Sequence, residues 1–388
     1  MIFKSKYRDI KIPQVGIYQY VTSNPNKISE DKVIYVDGIT GKSYTFSEFK
    51  HESKKFAAGL QDKLEFKCED ILAIFSHNLV HQYPELLETA IEASIDAKIP
   101  TSRLLLFGDK KIKGYKPYRS ILIGDREIEP IYYTPEEANS TTAYLHSSGT
   151  TGKQKCIEHT HTSAVAMLAQ RIISEYKLGP HSITMGVTQF CHSYSLGNIV
   201  HATLIHGATT IIYSSFNVKT FFESIQKFKI IHIYVVPEII LKLINNPLAQ
   251  QFDLSSVDMI ISGRAPLYDR LKRKFCEMFK IPILQTYGLT ETSIILLPHP
   301  DTIKNAVPGS IGILAPNIKA KILSEDGHEL GYNEPGELWV HGPNIMTSYF
   351  NNKEVTDNVI IKMDFLTQEI LHMLINKRIS LLVVEKKI

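Results

Sequence analysis

Strand and helix signals alternate along most of this 388-residue chain, and this alternation restricts the possible folds more than any other feature. The apolar runs 209–213 and 230–236 predict buried strands, whereas the runs 163–176 and 218–228 and the residues after Pro237 predict helices. Strands that alternate with helices favour an α/β fold, in which helices cover both faces of a parallel sheet.

Hairpin and capping signals come before this pattern. The runs 33–37 and 41–44 predict a hairpin around Gly38, since both are rich in β-prone residues and flank a turn. Thr45, with Glu48 three residues later, forms a capping-box pattern. A helix is therefore expected to begin immediately after the hairpin.

Further elements are predicted on either side of the alternating region. The run 71–75 predicts a buried strand and the run 84–97 predicts a helix. Near the other end, 318–323 and 336–341 alternate in the manner of strands, with turn residues at 326–327 between them. These two runs predict a small antiparallel β unit.

The composition places the chain among ordinary folded proteins, with 44% apolar and 21% charged residues. The net charge of +3 is spread out, without the basic stripe that a nucleic-acid partner would require. The uncharged stretch 178–218 contains Gly, Pro and His, so it predicts buried strands and a cleft wall and no transmembrane segment. No C-x-x-C pair occurs, which favours reduced thiols in a cytosolic-type compartment; the cysteines are Cys68, Cys156, Cys191 and Cys276.

A loop rich in small and hydroxyl-bearing residues follows the β-prone run 141–145. Backbone N–H groups, hydroxyls and a lysine together can hold a polyphosphate, although a polar turn between a strand and a helix has a similar composition. The spacing differs from that of a Walker P-loop, because only two residues separate the two glycines. The loop consists of Ser147, Ser148, Gly149, Thr150, Thr151, Gly152, Lys153, Gln154 and Lys155.

Three runs in this order, 147–155, 285–291 and 336–343, resemble the motifs of the acyl-adenylate-forming (AMP-dependent synthetase/ligase) superfamily. The resemblance is closest to 4-coumarate:CoA ligase-like acyl-CoA synthetases, and the runs 190–195, 262–267 and 308–312 also match that subfamily. It implies a layered α/β body with a parallel sheet, followed by a small antiparallel β unit.

The same resemblance implies an ATP site with Mg²⁺. The loop would wrap the β- and γ-phosphates, Tyr287 would stack on adenine, and Thr290 would contact the α-phosphate. Glu291 would ligate the metal, which suits a hard cation that prefers oxygen ligands; a helix start is the alternative role for Glu291. The implied catalytic residues are Lys155, Thr290 and Glu291. The implied cofactor-binding residues are Ser147, Ser148, Gly149, Thr150, Thr151, Gly152, Gly263, Arg264, Ala265, Pro266, Gln285, Thr286, Tyr287 and Gly288.

The implied reaction is attack of a carboxylate on the α-phosphate of ATP with release of pyrophosphate, followed by thioester formation with coenzyme A. The substrate would be a small carboxylic acid, either aromatic and hydroxycinnamate-like or a fatty acid. His192, Tyr194 and Gly312 would line its pocket, although His192 has the alternative of a packed core histidine. His159 and His161 have the spacing of a metal pair, but an ordinary surface or helix-start role is favoured because no third ligand lies near in sequence.

The chain departs from the family pattern at three places. Gln154 and Cys156 stand where the loop normally has proline and glycine, and cysteine fits without strain only if its φ is negative. Several tens of residues are missing near 82–87. The Thr-Gly-Asp motif and the C-terminal lid domain with its lysine are absent. The expected organisation is an α/β core at 1–305, a β subdomain at 306–358 and a divergent tail at 359–388.

The tail carries a trace of the missing motif. A back-translation of residues 363–375, read from one base earlier in each codon, gives Gly-Phe-x-His-Thr-Gly-Asp. We therefore hypothesise that residues from about Lys362 onward are translated out of the ancestral frame, which sequencing of the transcript tests. The alternative is a genuine divergent helix, because Leu366, Ile370 and Leu374 have helical spacing.

These departures predict that the chain is impaired or inactive as a ligase. The alternatives are a non-catalytic nucleotide-binding remnant, a gene-model artefact, or a stand-alone adenylation domain that serves a carrier protein. The expected localisation is cytoplasmic. The final residues Lys386, Lys387 and Ile388 do not form a peroxisomal Ser-Lys-Leu signal, but a peroxisomal parent enzyme stays open if the tail is out of frame.

Overall fold

The fold is known from a computed structural model in which strands outnumber helices. It describes residues 1–67, 70–74, 84–108, 110–140, 142–146, 155–173, 178–298, 310–361, 365–375 and 380–383. Within these residues the strands are β1 (Phe3–Lys4), β2 (Val33–Asp37), β3 (Ser43–Thr45), β4 (Thr142–His146), β5 (Cys156–Thr160), β6 (Ile183–Gly186), β7 (Thr209–Ile212), β8 (His232–Val235), β9 (Met259–Ser262), β10 (Ile283–Gln285), β11 (Leu296–Leu297), β12 (Ile313–Leu314), β13 (Lys319–Leu323), β14 (Pro335–His341), β15 (Ser348–Tyr349), β16 (Ile360–Ile361), β17 (Phe365–Ile375) and β18 (Ser380–Val383).

Helices connect most of these strands. Short 3₁₀ turns lie at Thr101–Arg103 and Pro247–Gln251, and a π-helix spans Leu196–His201. The α-helices are α1 (Ile17–Thr22), α2 (Phe46–Leu64), α3 (Pro84–Asp96), α4 (Tyr118–Leu122), α5 (Pro135–Ser140), α6 (His161–Ile172), α7 (Ser193–Ser195), α8 (Ala202–His206), α9 (Val218–Phe228), α10 (Pro237–Ile244), α11 (Asp269–Phe279) and α12 (Lys353–Val359).

A seven-stranded sheet forms the body of the molecule, in the order β10-β9-β8-β6-β7-β2-β3. Its strands are parallel except for the antiparallel pair β2–β3. Every residue of β8 and β9 is buried, as expected for strands that helices cover on both faces. The predicted α/β fold with a parallel sheet is confirmed, and helix α9 has the predicted bounds.

The predicted antiparallel β unit is also present. Strands β13 and β14 pair antiparallel, and the Gly327 N–H donates to the Ser324 carbonyl at 2.9 Å in the turn between them. Gly327 has φ +79°, a conformation that glycine adopts without steric cost. Strand β1 extends this sheet beside β13, and β17 extends it beside β14.

A three-stranded sheet, β15-β5-β4, brings distant parts of the chain together. Strand β5 follows the predicted phosphate loop, and β15 lies close to the carboxyl end of the β unit. Their register joins Ser348 to Glu158 and Tyr349 to Ile157. This small sheet therefore fixes Tyr349 beside the segment in which the loop ends.

The hairpin and capping predictions at the amino-terminal end are confirmed. Strands β2 and β3 pair antiparallel, and helix α2 begins directly after Thr45. The Thr45 hydroxyl accepts from the Glu48 N–H at 3.1 Å, while the Glu48 carboxylate accepts from the Thr45 N–H at 2.8 Å. Both halves of the capping box are formed, so two of the unpaired N–H groups of the first turn have partners.

The predicted strand at 71–75 is wrong for the residues that the structure describes. Ile71, Leu72 and Ile74 have no regular structure and are exposed to 65%, 42% and 65%, while Phe75 lies outside the described residues. An apolar run becomes a strand only where neighbouring strands pair with it, and 70–74 pairs with none of the described strands. Helix α3 follows, close to the predicted 84–97.

The alternative of a C-terminal helix is wrong, because Phe365–Ile375 is strand β17. It pairs with β14 on one side and with β18 on the other. The edge of β14 offered unpaired backbone groups, and pairing there satisfies more of them than an isolated helix would. The reading-frame hypothesis concerns the transcript and stays a prediction.

Two smaller predictions concern membranes and thiols. No helix among the described residues is long and apolar enough to span a bilayer. Cys156, Cys191 and Cys276 are free thiols, and Cys68 lies outside the described residues.

Candidate active site

The candidate site lies at the carboxyl edge of the central sheet. Val235, Ser262 and Gln285 are paired in register, so strands β8, β9 and β10 end level with one another. Gly263 and Thr286 follow directly beyond this edge. Ligands of open α/β sheets bind in the crevice outside the carboxyl ends of the parallel strands. Two of the predicted motifs therefore meet where such a ligand would lie.

One half of the site, which we call the phosphate side, consists of Lys155, Thr290, Glu291 and Tyr349. The Tyr349 hydroxyl donates to Glu291 Oε1 at 2.8 Å. Lys155 Nζ lies 4.9 Å from the centroid of the Tyr349 ring, within the range of a cation–π contact. A single aromatic ring thus joins the end of the predicted phosphate loop to the carboxylate predicted to ligate a metal.

Backbone hydrogen bonds hold the phosphate side in place. The Met346 N–H donates to the Glu291 carbonyl at 2.8 Å. The Thr347 N–H donates to the Glu158 carbonyl at 2.9 Å, and the Phe350 N–H donates to the Cys156 carbonyl at 2.8 Å. The segment 346–350 is therefore tied to Glu291 at one end and to β5 at the other.

Burial and the charge of Glu291 together set the protonation of the two phenols on this side. Burial, followed by the negative charge of Glu291, raises the pKa of Tyr287 above its ordinary value. The same two causes raise the pKa of Tyr349, so both phenols keep their protons. A protonated Tyr349 can donate to the carboxylate, which directs the Glu291 side chain.

Residues 285–288 form the floor between the two halves. Gln285 is buried, the Thr286 N–H donates to the Ser262 carbonyl at 3.0 Å, and the Thr286 hydroxyl donates to the Leu296 carbonyl at 3.0 Å. A Cβ at Gly288 would overlap the Ser293 carbonyl, so only glycine fits there. The tight turn after Tyr287 therefore depends on glycine.

The other half, which we call the acyl side, consists of His192, Tyr194, Gly263 and Thr286. The Tyr194 hydroxyl donates to the Ile261 carbonyl at 3.0 Å and to the Val235 carbonyl at 3.3 Å. Val235 is the last residue of β8, and Ile261 is the last but one of β9. The Tyr194 ring packs against Gly263, where a Cβ would overlap ring carbons. Close packing, more than charge, shapes this half.

His192 is the N-cap of the short helix α7, and its Nδ1 accepts from the Tyr194 N–H at 3.1 Å. Burial, together with the nearby charge of Arg264, lowers the pKa of His192 to about 4, so the ring is neutral near pH 7. Arg264 is exposed and has φ +74°, and the following Ala265 and Pro266 are exposed as well. These three exposed residues directly follow the buried Gly263.

A small cavity of about 20 Å³ extends below the acyl side, along one face of β8, β9 and β10. Every second residue of these strands faces the cavity, because side chains along a β-strand point alternately to its two faces. Arg171, from the end of α6, contributes a buried guanidinium to the wall. The other polar groups are supplied by His232, Tyr234 and Thr286.

Other predicted residues have different positions. Ser147, Ser148, Gly149, Thr150, Thr151 and Gly152 lie outside the described residues. Cys156 begins β5 and is not among the described residues with positive φ, so it replaces glycine without backbone strain. Gly312 has φ +118° and lies against the Leu297 carbonyl, which explains its glycine by backbone geometry; its role in a substrate pocket stays a prediction.

The two histidines of the loop region differ from each other. His161 is the first residue of α6, as predicted for a helix start, and its Nδ1 accepts from the Ile17 N–H at 3.2 Å. His159 is only 3% exposed, so a surface role is wrong for it. No group of three metal-ligating side chains occurs among the described residues, and neither histidine belongs to a metal cluster there.

Several contacts of the site carried no recognised sequence signal. Tyr349 and His159 contact the motif 285–291 only through the folded chain. Asn344 is fully buried; its amide group donates to the Thr292 carbonyl and, at 2.6 Å, to the Ile294 carbonyl. For Asn344, the only sequence signal is its position directly after the motif run that ends in Trp-Val-His-Gly-Pro.

The donor set suits Mg²⁺ held jointly with phosphate. Mg²⁺ usually takes one or two carboxylates, several waters and substrate phosphates, and it seldom occupies a cage made only of protein groups. Glu291 supplies one partly exposed carboxylate without a neighbouring acidic cluster among the described residues. The residues present fit a metal that arrives with the nucleotide.

Known proteins resemble the chain over most of its length. The family "AMP-binding enzyme" matches residues 108–350. A 4-coumarate–CoA ligase from Pinus taeda is 30% identical over 398 residues, covering 92% of this chain and 74% of the ligase.

Two solved structures share the fold at lower identity. The luciferase-like enzyme from the nonluminescent mealworm Zophobas morio has a TM-score of 0.87 and 21% identity, covering 100% of this chain and 99% of that one. The anthranilate CoA ligase AuaEII, in complex with anthranoyl-AMP, has a TM-score of 0.83 and 15% identity, covering 97% and 80%. Together with the sequence matches, they confirm the family resemblance drawn from the motifs.

Proposed function

Because the chain belongs to the family of AMP-binding enzymes, we propose that it binds ATP and activates a small carboxylic acid as an acyl-adenylate. The observation that carries this proposal is the contact from Lys155 through the Tyr349 ring to Glu291. It joins the loop predicted to hold phosphates to the predicted metal ligand. A cation on each side of a polyphosphate neutralises the charge that develops during transfer, which is the main contribution such a site can make.

The nucleotide would lie across the carboxyl edge of β9 and β10. Under this proposal Lys155 and the loop 147–152 contact the β- and γ-phosphates, and Thr290 contacts the α-phosphate. Glu291 would hold Mg²⁺, which supplies charge neutralisation to the phosphates when bound. Tyr287 would stack on the adenine, and Gly263 would lie between the adenine and the acyl side. The level strand ends and the shared edge support this placement.

The acid would enter beside Tyr194, with its carboxylate near Thr290 and its other end toward the cavity. We favour an aromatic acid over a long-chain fatty acid, because the chain is 30% identical to a 4-coumarate–CoA ligase over 398 residues. Coenzyme A would accept the acyl group in a second step, by analogy with the ligases that the chain resembles.

Turnover is expected to be slow. The sequence contains no Thr-Gly-Asp run, and strand β17 occupies the region where the family has this motif. Without the aspartate carboxylate of this motif, the ribose hydroxyls of the nucleotide have one hydrogen-bond partner fewer. The same observation favours a second candidate function, ATP binding without adenylate formation. Cys156, by contrast, gives no reason for low activity, because its backbone is unstrained.

Carboxylate-dependent exchange between ATP and pyrophosphate tests the proposal. We expect exchange above background with 4-coumarate or anthranilate and much less with hexadecanoate, together with Mg²⁺-dependent binding of ATP in calorimetry. Binding of ATP without exchange for any acid would support the second candidate function. Absence of both binding and exchange in a folded preparation would contradict the proposal. Acyl transfer to a phosphopantetheinylated protein in preference to coenzyme A would instead identify a carrier-protein partner.

A further inference from the structure

A buried histidine links the strand after the phosphate loop to the metal-binding motif. His159 lies on β5 and is 3% exposed. Its Nε2 lies 2.7 Å from the carbonyl oxygen of Thr290, and its Nδ1 lies 3.1 Å from the Ser163 hydroxyl. The two partners belong to different elements, since Ser163 is in the first turn of α6. His159 is thus inserted between the helix start and the residue before Glu291.

The partners determine the tautomer of the ring. A carbonyl oxygen can only accept, so His159 Nε2 must carry a proton and donate it to Thr290. Burial lowers the pKa of His159, which favours the neutral ring, and Nδ1 is then an acceptor. The Ser163 hydroxyl can donate to Nδ1. Its single proton can alternatively be donated to the Thr160 carbonyl, 3.0 Å away.

This hydrogen bond acts on the segment that carries the predicted catalytic groups. On one side of the peptide, His159 holds the Thr290 carbonyl; on the other, the Met346 N–H holds the Glu291 carbonyl at 2.8 Å. The Tyr349 hydroxyl then directs the Glu291 carboxylate. With both carbonyls held, the backbone at 290–291 is fixed, so the Thr290 and Glu291 side chains leave it in set directions.

We propose that His159 is a positioning residue for ATP and Mg²⁺: its Nε2–H holds the Thr290 carbonyl so that Thr290 and Glu291 face the phosphates. The proposal rests on the proposed function, because it assumes that Glu291 holds the metal of the nucleotide. His159 itself touches neither nucleotide nor acid. Its effect should therefore be on the metal and ATP requirements, with little effect on the acid.

Two substitutions separate the hydrogen bond from simple packing. His159→Leu keeps an apolar side chain in the buried site but removes the donor, whereas His159→Gln retains an amide N–H that can reach a carbonyl. We expect His159→Leu to raise the Mg²⁺ concentration needed for half-maximal ATP binding roughly tenfold, the usual value of one hydrogen bond to a positioned group. We expect His159→Gln to recover most of this loss, and neither change to alter the KM for the acid.

His161→Leu is the matched control, because His161 lies two residues away and contacts Ile17 and Tyr133 instead of Thr290. It should change thermal stability without changing the Mg²⁺ requirement. Nitrogen-15 NMR of the wild-type ring provides a readout that needs no activity, and it should show the Nε2-protonated tautomer for His159.

The outcomes are distinguishable from failure of the proposed function. If the wild-type chain binds no ATP in the presence of Mg²⁺, the proposed function fails. If it binds ATP but His159→Leu has the wild-type Mg²⁺ requirement, or His161→Leu changes that requirement equally, the positioning role is overturned. An Nδ1-protonated neutral tautomer would overturn it independently, since the Thr290 carbonyl would then have no donor.

Discussion

The phosphate side and the acyl side of the candidate site share the carboxyl edge of one sheet, but different interactions hold them together. On the phosphate side, polar contacts join residues that are far apart in sequence, such as Glu291 and Tyr349, separated by 58 positions. On the acyl side, the Tyr194 ring packs on Gly263 and on a buried cluster that includes Tyr234 and Ile261. The comparison indicates that charge and shape can be altered separately, so substitutions on the two sides should affect different measurements.

The largest expected effect is that of Glu291→Gln on the phosphate side. The amide keeps the size of the side chain and still accepts from the Tyr349 hydroxyl, but it removes the negative charge that would bind Mg²⁺. We expect carboxylate-dependent ATP–pyrophosphate exchange to fall by about 10³-fold, a typical loss for one electrostatic group at a reacting phosphate or oxyanion. Thermal unfolding should be nearly unchanged, and a large drop in Tm would mean that Glu291 is mainly structural.

Gly263→Val is the corresponding change on the acyl side. Its side chain would overlap Tyr194 and approach Thr286, whose Cγ2 lies 3.2 Å from the position of a Cβ. We expect a loss of about 3 kcal/mol in the free energy of unfolding, as for overpacking of a tight site. Urea unfolding measures it. Wild-type stability would show that Tyr194 swings away freely, and the acyl side would then be less rigid than the contacts indicate.

A matched pair of phenol deletions sharpens the comparison further. Tyr349→Phe removes the donor to Glu291, and Tyr194→Phe removes the donor to Ile261 and Val235. Each should cost about 1 kcal/mol of stability. Tyr349→Phe should change the Mg²⁺ requirement for ATP binding, whereas Tyr194→Phe should change the KM for the acid. If both variants changed the same parameter, the two sides would not be separable.

The smallest expected effect is a pH dependence of stability from His192. Burial, aided by the charge of Arg264, lowers its pKa from the ordinary 6.5 to about 4 in the folded chain. Between these values the unfolded chain binds a proton that the folded chain excludes, so stability should fall as the pH decreases through this window. His192→Asn keeps an acceptor for the Tyr194 N–H, and its urea midpoint should decline less between pH 7 and pH 5. An equal decline would place the effect in other groups.

Local sequence patterns predicted those helices and turns that depend only on residues nearby in the sequence. The capping box at Thr45 and Glu48 and the helix Val218–Phe228 depend on residues within one or two helical turns, and both formed as predicted. The run 71–75 failed because a strand needs partners that no local pattern can supply. Its apolar composition is similar to that of the fully buried β9, so the difference lies in the neighbours.

The candidate site shows the same division. The motifs supplied Lys155, Thr290, Glu291 and Tyr287, because these residues occur in recognisable runs. His159 lies 131 positions from Thr290, and its hydrogen bond could not be found from sequence spacing. Tyr349 was missed for the same reason, since its contact with Glu291 exists only after β15 pairs with β5. Polar contacts between distant segments are therefore the part of the site that required the structure.

Detection of acyl-AMP is the most direct test of the central claim, that the phosphate side binds ATP with Mg²⁺ and transfers its AMP to an acid. A stoichiometric amount of enzyme is mixed with ATP, Mg²⁺ and either 4-coumarate or anthranilate. The reaction is then quenched, and its products are measured by mass spectrometry. We predict an acyl-AMP product from the wild-type chain that depends on Mg²⁺ and nearly disappears in Glu291→Gln. The claim would be contradicted if no acyl-AMP formed while ATP was bound, or if Glu291→Gln formed as much product as the wild type.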